Sequence, residues 1–410
     1  TVRPVGHPFR REIALDPALA RALLDGARTF AVVDEGPGLS GSSFGAVADW
    51  LEKRGVARQR IHFFPSHSGD PGPMASDAHR ARWADAPRHC MDCDELLLPT
   101  GRLRAWLEEL LGPLEGSLEE VRAGAWRELH GWNEAEWPAV NLQQERRKFI
   151  VHARGVSWLV KFAGLGRDGA RTAERAEALS AAGFSAPAAG VRHGFHVERW
   201  LGDARPLDLV EVDPHVLIGR VASYLGFRAR RFPADGAGAD AARLLEMAQH
   251  NASIALGEDA LRRIRADPAA LDALVRPVAT DNRMLPHEWL LTPDGSLLKG
   301  DALDHSTAHD LVGCQDIAWD VAGTAVEFGL SAEDTAMLAR LVAEKAGRPV
   351  HSELVAFYGI CYPAFRLGAC TLAAEAHEGE EAGRLRAAAN GYAAALSRAI
   401  DMEASSSGER

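Results

Sequence analysis

Cysteine is scarce in this chain, five in 410 residues, which excludes a disulfide-stapled architecture. Cys314, Cys361 and Cys370 fall in apolar, helix-patterned surroundings, where a reduced, buried thiol is expected. The other two stand in His89-Cys90-Met91-Asp92-Cys93, half of a zinc site if two of His62, His67 and His79 converged on it. A second CxxC is absent, so the tetrahedral ligand requirement favours a loop with two free thiols. No apolar run approaches the roughly 20 residues that span a bilayer, and a membrane partner is not expected. Positive charge is also short: 46 Lys+Arg against 57 Asp+Glu gives 46 − 57 = −11. That balance excludes broad attraction to nucleic acid or anionic lipid while leaving room for a local basic pocket. The first residues carry Arg3, Arg10 and Arg11 but no core of signal-peptide length, so the expected address is cytoplasmic. The missing initiator Met suggests that the sequence begins inside a longer product or after processing.

What is present is ordinary for a soluble globular protein, 47% hydrophobic and 25% charged residues. A chain longer than roughly 250–300 residues divides into domains, so two or three separate cores are expected. Pro4 to Leu15 reads as a polar strand and Pro17 to Leu24 as a helix. Phe30-Ala31-Val32-Val33 is strand-like and runs into the glycine- and serine-rich residues 34–43. Phe44, Val47, Ala48 and Leu51 then share a helix face before the apolar Ile61 to Phe64, which completes a βαβ crossover. Residues 65–87, rich in Pro, Gly, Ser, His and Asp, read as an exposed loop. Helices are expected at Leu103–Leu111 and Leu118–Leu129, with the domain boundary near 115.

Beyond that boundary, Phe149 to Phe162 reads as a β-hairpin turning at Ala153-Arg154-Gly155, with Lys161 near its far end. Ala170 to Ala182 is a helix ended by Gly183, followed through Pro187 by a strand at Phe195–Trp200. The remainder to about Met402 reads as mainly helical, with a disordered tail at 404–410. One interruption carries chemistry. Asp281 to Leu291, the turn Pro293-Asp294-Gly295 and Ser296 to Asp301 give loop, strand, turn, strand, acid. Pairing of those strands brings Glu288 and Asp301 to one end, where two carboxylates can bind one cation.

These residues resemble the catalytic segment of aminoglycoside and choline kinase-like enzymes, H-G-D-x-x-P-x-N, then a hairpin, then a metal-binding Asp. Anchored on Pro286, the resemblance puts Glu288 at the Asn position and Asp301 at the metal Asp. Asp281 is then the nearest candidate for the catalytic acid, two residues early, and Ala279 and Thr280 stand where the family has its His. Gln315 to Ala322 is similar to the family's G-D-P-A-Y-D-L-A helix, which implies that Asp320 braces the catalytic loop; Asp316 reads equally as a helix cap. Val160-Lys161-Phe162 resembles the strand lysine that contacts nucleotide phosphates, with Glu174 or Glu177 orienting it and Glu198 to Trp200 as the adenine-facing hinge. Asn141 to Lys148, where a phosphate-covering loop would fall, is charged and lacks glycine.

Near the start, VVDEGPGLSGSSF looks like the phosphoribosyl-pyrophosphate motif of type I phosphoribosyltransferases. Asp34 and Glu35 would face ribose hydroxyls, and the backbone of Ser40, Gly41, Ser42 and Ser43 at a helix start would cradle a 5-phosphate. The combined expectation is an α/β plus α+β chain. A partial phosphoribosyltransferase-like module (1–115) precedes a bilobal kinase-like domain, with its small lobe at 116–205 and its helical lobe at 206–403. The resemblance implies an ATP- and Mg2+-dependent phosphotransferase acting on a small-molecule hydroxyl. Two alternatives stand beside it: phosphoribosyl pyrophosphate as ligand with an inactive kinase-like half, and a non-catalytic scaffold.

Overall fold

The computed structural model describes residues 2, 4–26, 29–91, 93–307 and 311–407, with the side chains of residues 93 and 403–407 outside the description. The chain divides into two compact units, Thr1–Trp106 and Leu107–Arg410. The division falls at Trp106 rather than at 115.

In the first unit the expected polar strand is a small hairpin, β1 (Val5–His7) and β2 (Arg10–Glu12), in antiparallel register. Helix α1 (Pro17–Leu24) starts where Asp16 accepts Ala18 N–H at 2.8 Å and Pro17 pre-sets the first turn. The βαβ crossover is as expected: β3 (Phe30–Val33), α2 (Ser42–Glu52) and β4 (Ile61–Phe64), with Phe30 paired to Ile61 and Val33 to Phe64 in parallel. The stretch expected as a loop instead contains α3 (Asp77–Asp85), capped by Ser76, whose Trp83 is 3% exposed and packs on Phe44 and Phe63. At Gly45 the His79 ring fills the space a side chain would need, since a Cβ there would lie 2.3 Å from His79 Nε2. Two further helices, α4 (Cys93–Leu97) and α5 (Arg102–Leu111), follow, and the division between the units falls inside the second.

The second unit begins with an antiparallel five-stranded sheet. Its members are β5 (Glu115–Val121), β6 (Lys148–Ala153), β7 (Val156–Phe162), β8 (Ala188–Arg192) and β9 (Phe195–Arg199), in the order β5-β6-β7-β9-β8. The helix expected at 118–129 is therefore β5 followed by the single turn α6 (Trp126–Leu129). Leu and Glu at 118–120 carry helix propensity, but pairing with β6 overrides it. Arg154 and Gly155, at φ +54° and +71°, make the β6–β7 turn. Helix α7 (Gly166–Ala181) lies between β7 and β8 in sequence.

A helical lobe follows, within which β10 (Arg205–Pro206) begins and α8 (Pro214–Arg231), α9 (Ala241–Leu256), α10 (Glu258–Arg263) and α11 (Pro268–Leu274) succeed one another. Three short strands and a fourth, β11 (Pro277–Val278), β12 (Trp289–Leu291), β13 (Leu297–Lys299) and β14 (Gln315–Asp316), carry the candidate site. The chain then runs through α12 (Ala318–Glu327), α13 (Ala332–Ala346), α14 (Ser352–Glu375) and α15 (Gly379–Ser407). Thus the helix continues through 404–407 where a disordered tail was expected, and 408–410 lie outside the described residues. Contrary to the expectation of no spanning run, α14 is long and apolar enough to cross a membrane. Its buried side chains, including Leu354, Tyr358, Cys361 and Tyr362, form the core of the helical lobe.

Candidate active site

The β12–β13 hairpin has the register the sequence implies, Trp289 opposite Lys299 and Leu291 opposite Leu297. Asp294 accepts Ser296 N–H, and Gly295 at φ +82° closes the turn. At the other end Gly300 N–H donates to Glu288 O at 2.7 Å, holding the residues before and after the hairpin together. Glu288, Asp301 and His305 there bring one ligand atom each within 4.8 Å of one another, the one such metal-capable group among the described residues. Lys161, from the small-lobe sheet, ion-pairs with Asp301. Lys299, fully buried, donates to Glu288 Oε2 at 2.7 Å and to Gly300 O at 2.8 Å.

Asp320 takes the bracing position expected of it: its carboxylate accepts Asp281 N–H at 2.7 Å and Asn282 N–H at 2.9 Å. Burial, with the charge of Asp281 adding to it, pushes Asp320 up to about 7. Asp316 is not the N-cap of α12, a position Ile317 holds; its carboxylate accepts Ala318 N–H at 3.0 Å and Arg276 N–H at 3.0 Å.

Asp281 itself does not face an acceptor. Its side chain is 0% exposed, and Tyr224 O–H donates to it, with Lys299 Nζ at 3.5 Å, His305 Nδ1 at 3.6 Å and Arg228 at 3.7 Å. Burial would raise this carboxyl, but Lys299, His305 and Arg228 outweigh it and hold it well below the usual range. A carboxylate enclosed by these partners organises the loop; it is not positioned to orient a hydroxyl in the cleft. Arg228 completes the enclosure by donating to the carbonyls of Ala279, Thr280 and Ala302 at 2.7, 3.0 and 2.8 Å. Tyr224 and Arg228 were missed by the sequence reading. Their signal is a four-residue spacing of polar groups on the face of α8 that also buries Leu217, Val221 and Leu225.

Other expectations need correction. Glu174 and Glu177 are exposed and neither pairs with Lys161; the buried charged residue on that helix is Arg175, which donates to Leu303 O and is pushed down to about 10 by burial. Glu198 pairs with His196 at 3.3 Å, and the N–H groups of Arg199 and Trp200 are taken by Pro187 O and Ser157 O, so these two donors are not open to an adenine. Asn141 to Lys148, where a phosphate-covering loop would fall, closes the longer connection 122–147 into β6, and that connection engages the helical lobe through Leu142 and Gln143. Arg127, 1% exposed, donates to Glu381 at 3.0 Å and to Pro138 O at 2.7 Å. Trp126 stacks on His287 at 5.6 Å, and burial pushes that imidazole down to about 4.

In the first unit the serine side chains of the segment read as a phosphate cradle are engaged within the fold. Ser42 Oγ donates to Pro8 O at 2.7 Å and Ser40 Oγ donates to Ser42 Oγ at 2.9 Å, with Ser40, Gly41 and Ser42 buried. A carbonyl therefore sits against these hydroxyls, Ser42 N–H is taken by Ser40 Oγ at 3.2 Å, and Ser43 Oγ accepts from Arg11 at 3.2 Å. Asp34 and Glu35 are exposed with no partner recorded among the described residues. Of the zinc ligands considered, His67 accepts Gly69 N–H, His79 packs at Gly45, and His62 meets His89 at 2.8 Å. Asp92 and the Cys93 side chain lie outside the description.

No family model matches the chain, and no curated protein does. Among solved structures, choline kinase LicA from Streptococcus pneumoniae is 18% identical, covering 60% of this chain and 89% of that one, with a TM-score of 0.41. A putative aminoglycoside phosphotransferase from Ralstonia eutropha is 14% identical, covering 74% and 98%, with a TM-score of 0.43. An ethanolamine kinase from Plasmodium vivax is 10% identical, covering 87% and 93%, with a TM-score of 0.41. Likeness at this level leaves the chemistry to the site's own residues.

Proposed function

We propose that the second unit binds a metal-bound nucleotide and transfers its terminal phosphoryl group to a small-molecule hydroxyl. The observation that carries this is the convergence of Glu288, Asp301 and His305 beside Lys161, two carboxylates for a divalent cation and one ammonium for phosphate. The donor set fits such a cation, which when bound neutralises charge on the phosphates. Lys161 is held at that point by its pairing with Asp301, and ATP phosphates would compete for the same ammonium. Phosphoryl transfer has a loose transition state, so positioning and positive charge matter more than a strong base. Counted back three residues from Pro286, the acid of the H-G-D-x-x-P-x-N pattern falls on Arg283. That position therefore carries a cation in place of a carboxylate.

A second reading, nucleotide binding without transfer, is favoured by the enclosure of Asp281. Labelled ATP offered with a panel of cationic and neutral small-molecule hydroxyls separates the two. Label in an acceptor, lost in Asp301→Ala, supports transfer; nucleotide binding with no labelled product on any acceptor supports the second reading.

A further inference from the structure

The hydrogen-bond logic around His305 defines which nitrogen is free. Nδ1 lies 3.0 Å from Asp281 O, and a carbonyl can only accept, so Nδ1 carries the hydrogen. In the neutral imidazole Nε2 then presents a lone pair, and its neighbour at 3.3 Å is Asp301 Oδ2, also an acceptor. An imidazolium proton satisfies such a pair, and so does a cation that both atoms ligate. Each carboxylate already has one oxygen engaged by an ammonium, Glu288 Oε2 by Lys299 and Asp301 Oδ1 by Lys161. Asp301 Oδ2 remains beside Nε2, and Glu288 offers a carboxylate oxygen within 4.8 Å of the other two residues' ligand atoms. The His305 side chain is 7% exposed, and a backbone carbonyl on the second ring nitrogen is the arrangement that fixes a metal-binding imidazole. Asp301 sits at φ +45°, a conformation uncommon outside glycine.

We infer that Glu288, Asp301 and His305 form a three-ligand site that prefers a divalent transition metal of the Mn2+ class over Mg2+. The inference rests on the metal-nucleotide reading for its role but not for its chemistry. Mg2+ takes all-oxygen octahedral ligation and sheds water reluctantly, whereas an imidazole nitrogen adds affinity for transition metals.

The test uses the full chain without nucleotide. Free Mn2+ is followed by electron paramagnetic resonance during titration, Mg2+ by competition, and the bound Mn2+ is examined for hyperfine coupling to an imidazole nitrogen. The expected result is tighter binding of Mn2+ than Mg2+ by about tenfold or more, with nitrogen coupling in the wild type. In His305→Ala the coupling disappears and Mn2+ affinity falls about tenfold or more, while Mg2+ affinity changes by less than about threefold. Bound Mn2+ without nitrogen coupling in the wild type overturns the inference, as does equal affinity for the two ions. The wild-type spectrum decides the matter even if His305→Ala does not fold, and His305→Gln keeps the side-chain volume for the affinity comparison. Failure to bind nucleotide alongside nitrogen-coupled Mn2+ would refute the phosphotransfer reading alone.

Discussion

Arg127→Met tests how firmly residues 122–147 are fastened across the second unit. Arg127 and Glu381 form an ion pair at 3.0 Å with side chains 1% and 9% exposed, and the same guanidinium donates to Gly124 O and Pro138 O. Removing one partner of a buried pair leaves an uncompensated charge and costs about 3–5 kcal/mol. Here Glu381 keeps Val140 N–H at 2.7 Å and Arg384 at 3.2 Å, so the lower end, about 3 kcal/mol, is expected. At roughly 2 °C per kcal/mol for a unit of this size, Tm should fall by about 6 °C. Urea and thermal melts of the full chain give the value. Arg127→Met/Glu381→Leu should recover more than half of the loss, because an apolar pair of similar volume is often neutral. A loss below about 1 kcal/mol in the single variant, or no recovery in the double, would refute the claim that this pair clamps the segment.

Three further outcomes follow from named contacts. Tyr224→Phe removes a hydroxyl donor to a buried carboxylate and should cost about 1.5–3 kcal/mol in urea unfolding; no change would mean that Asp281 is held by its cations alone. Gly45→Ala should destabilise the first unit by about 1–3 kcal/mol because its Cβ would collide with His79, and His79→Ala in the same chain should relieve most of it. Asp320 is pushed up to about 7, so its contribution to stability is fully present below the unfolded value of 3.8 and is lost as pH rises through 7. Asp320→Asn should therefore become progressively less destabilising relative to wild type between pH 4 and pH 8, and parallel Tm curves across that range would contradict the assignment.

Periodicity and turn chemistry made the βαβ crossover, the Arg154-Gly155 hairpin and the β12–β13 hairpin legible, because each is a local pattern bounded by glycine or proline. The convergence of Glu288 and Asp301 followed from strand pairing alone. Strand β5 was hidden by Leu118, Glu119 and Glu120, whose helix propensity competes with a pairing partner some 30 residues away. Helix α3 was hidden by its composition: one buried Trp83 on an otherwise polar segment gives no apolar face. The enclosure of Asp281 by Tyr224, Arg228, Lys299 and His305 joins four stretches of chain and leaves no local pattern. The same holds for the buried Ser42 hydroxyl that meets Pro8 O, a contact made by a hairpin some 30 residues upstream.

The most direct measurement is calorimetric titration of the full chain with ATP, with Mg2+ or Mn2+ and without either, on wild type and Asp301→Ala. Metal-dependent binding in the wild type, abolished by Asp301→Ala in a chain that melts as the wild type does, is the predicted result. Binding that ignores the metal, that survives loss of Asp301, or that does not occur at all would contradict the assignment of Glu288, Asp301 and Lys161 to a nucleotide site.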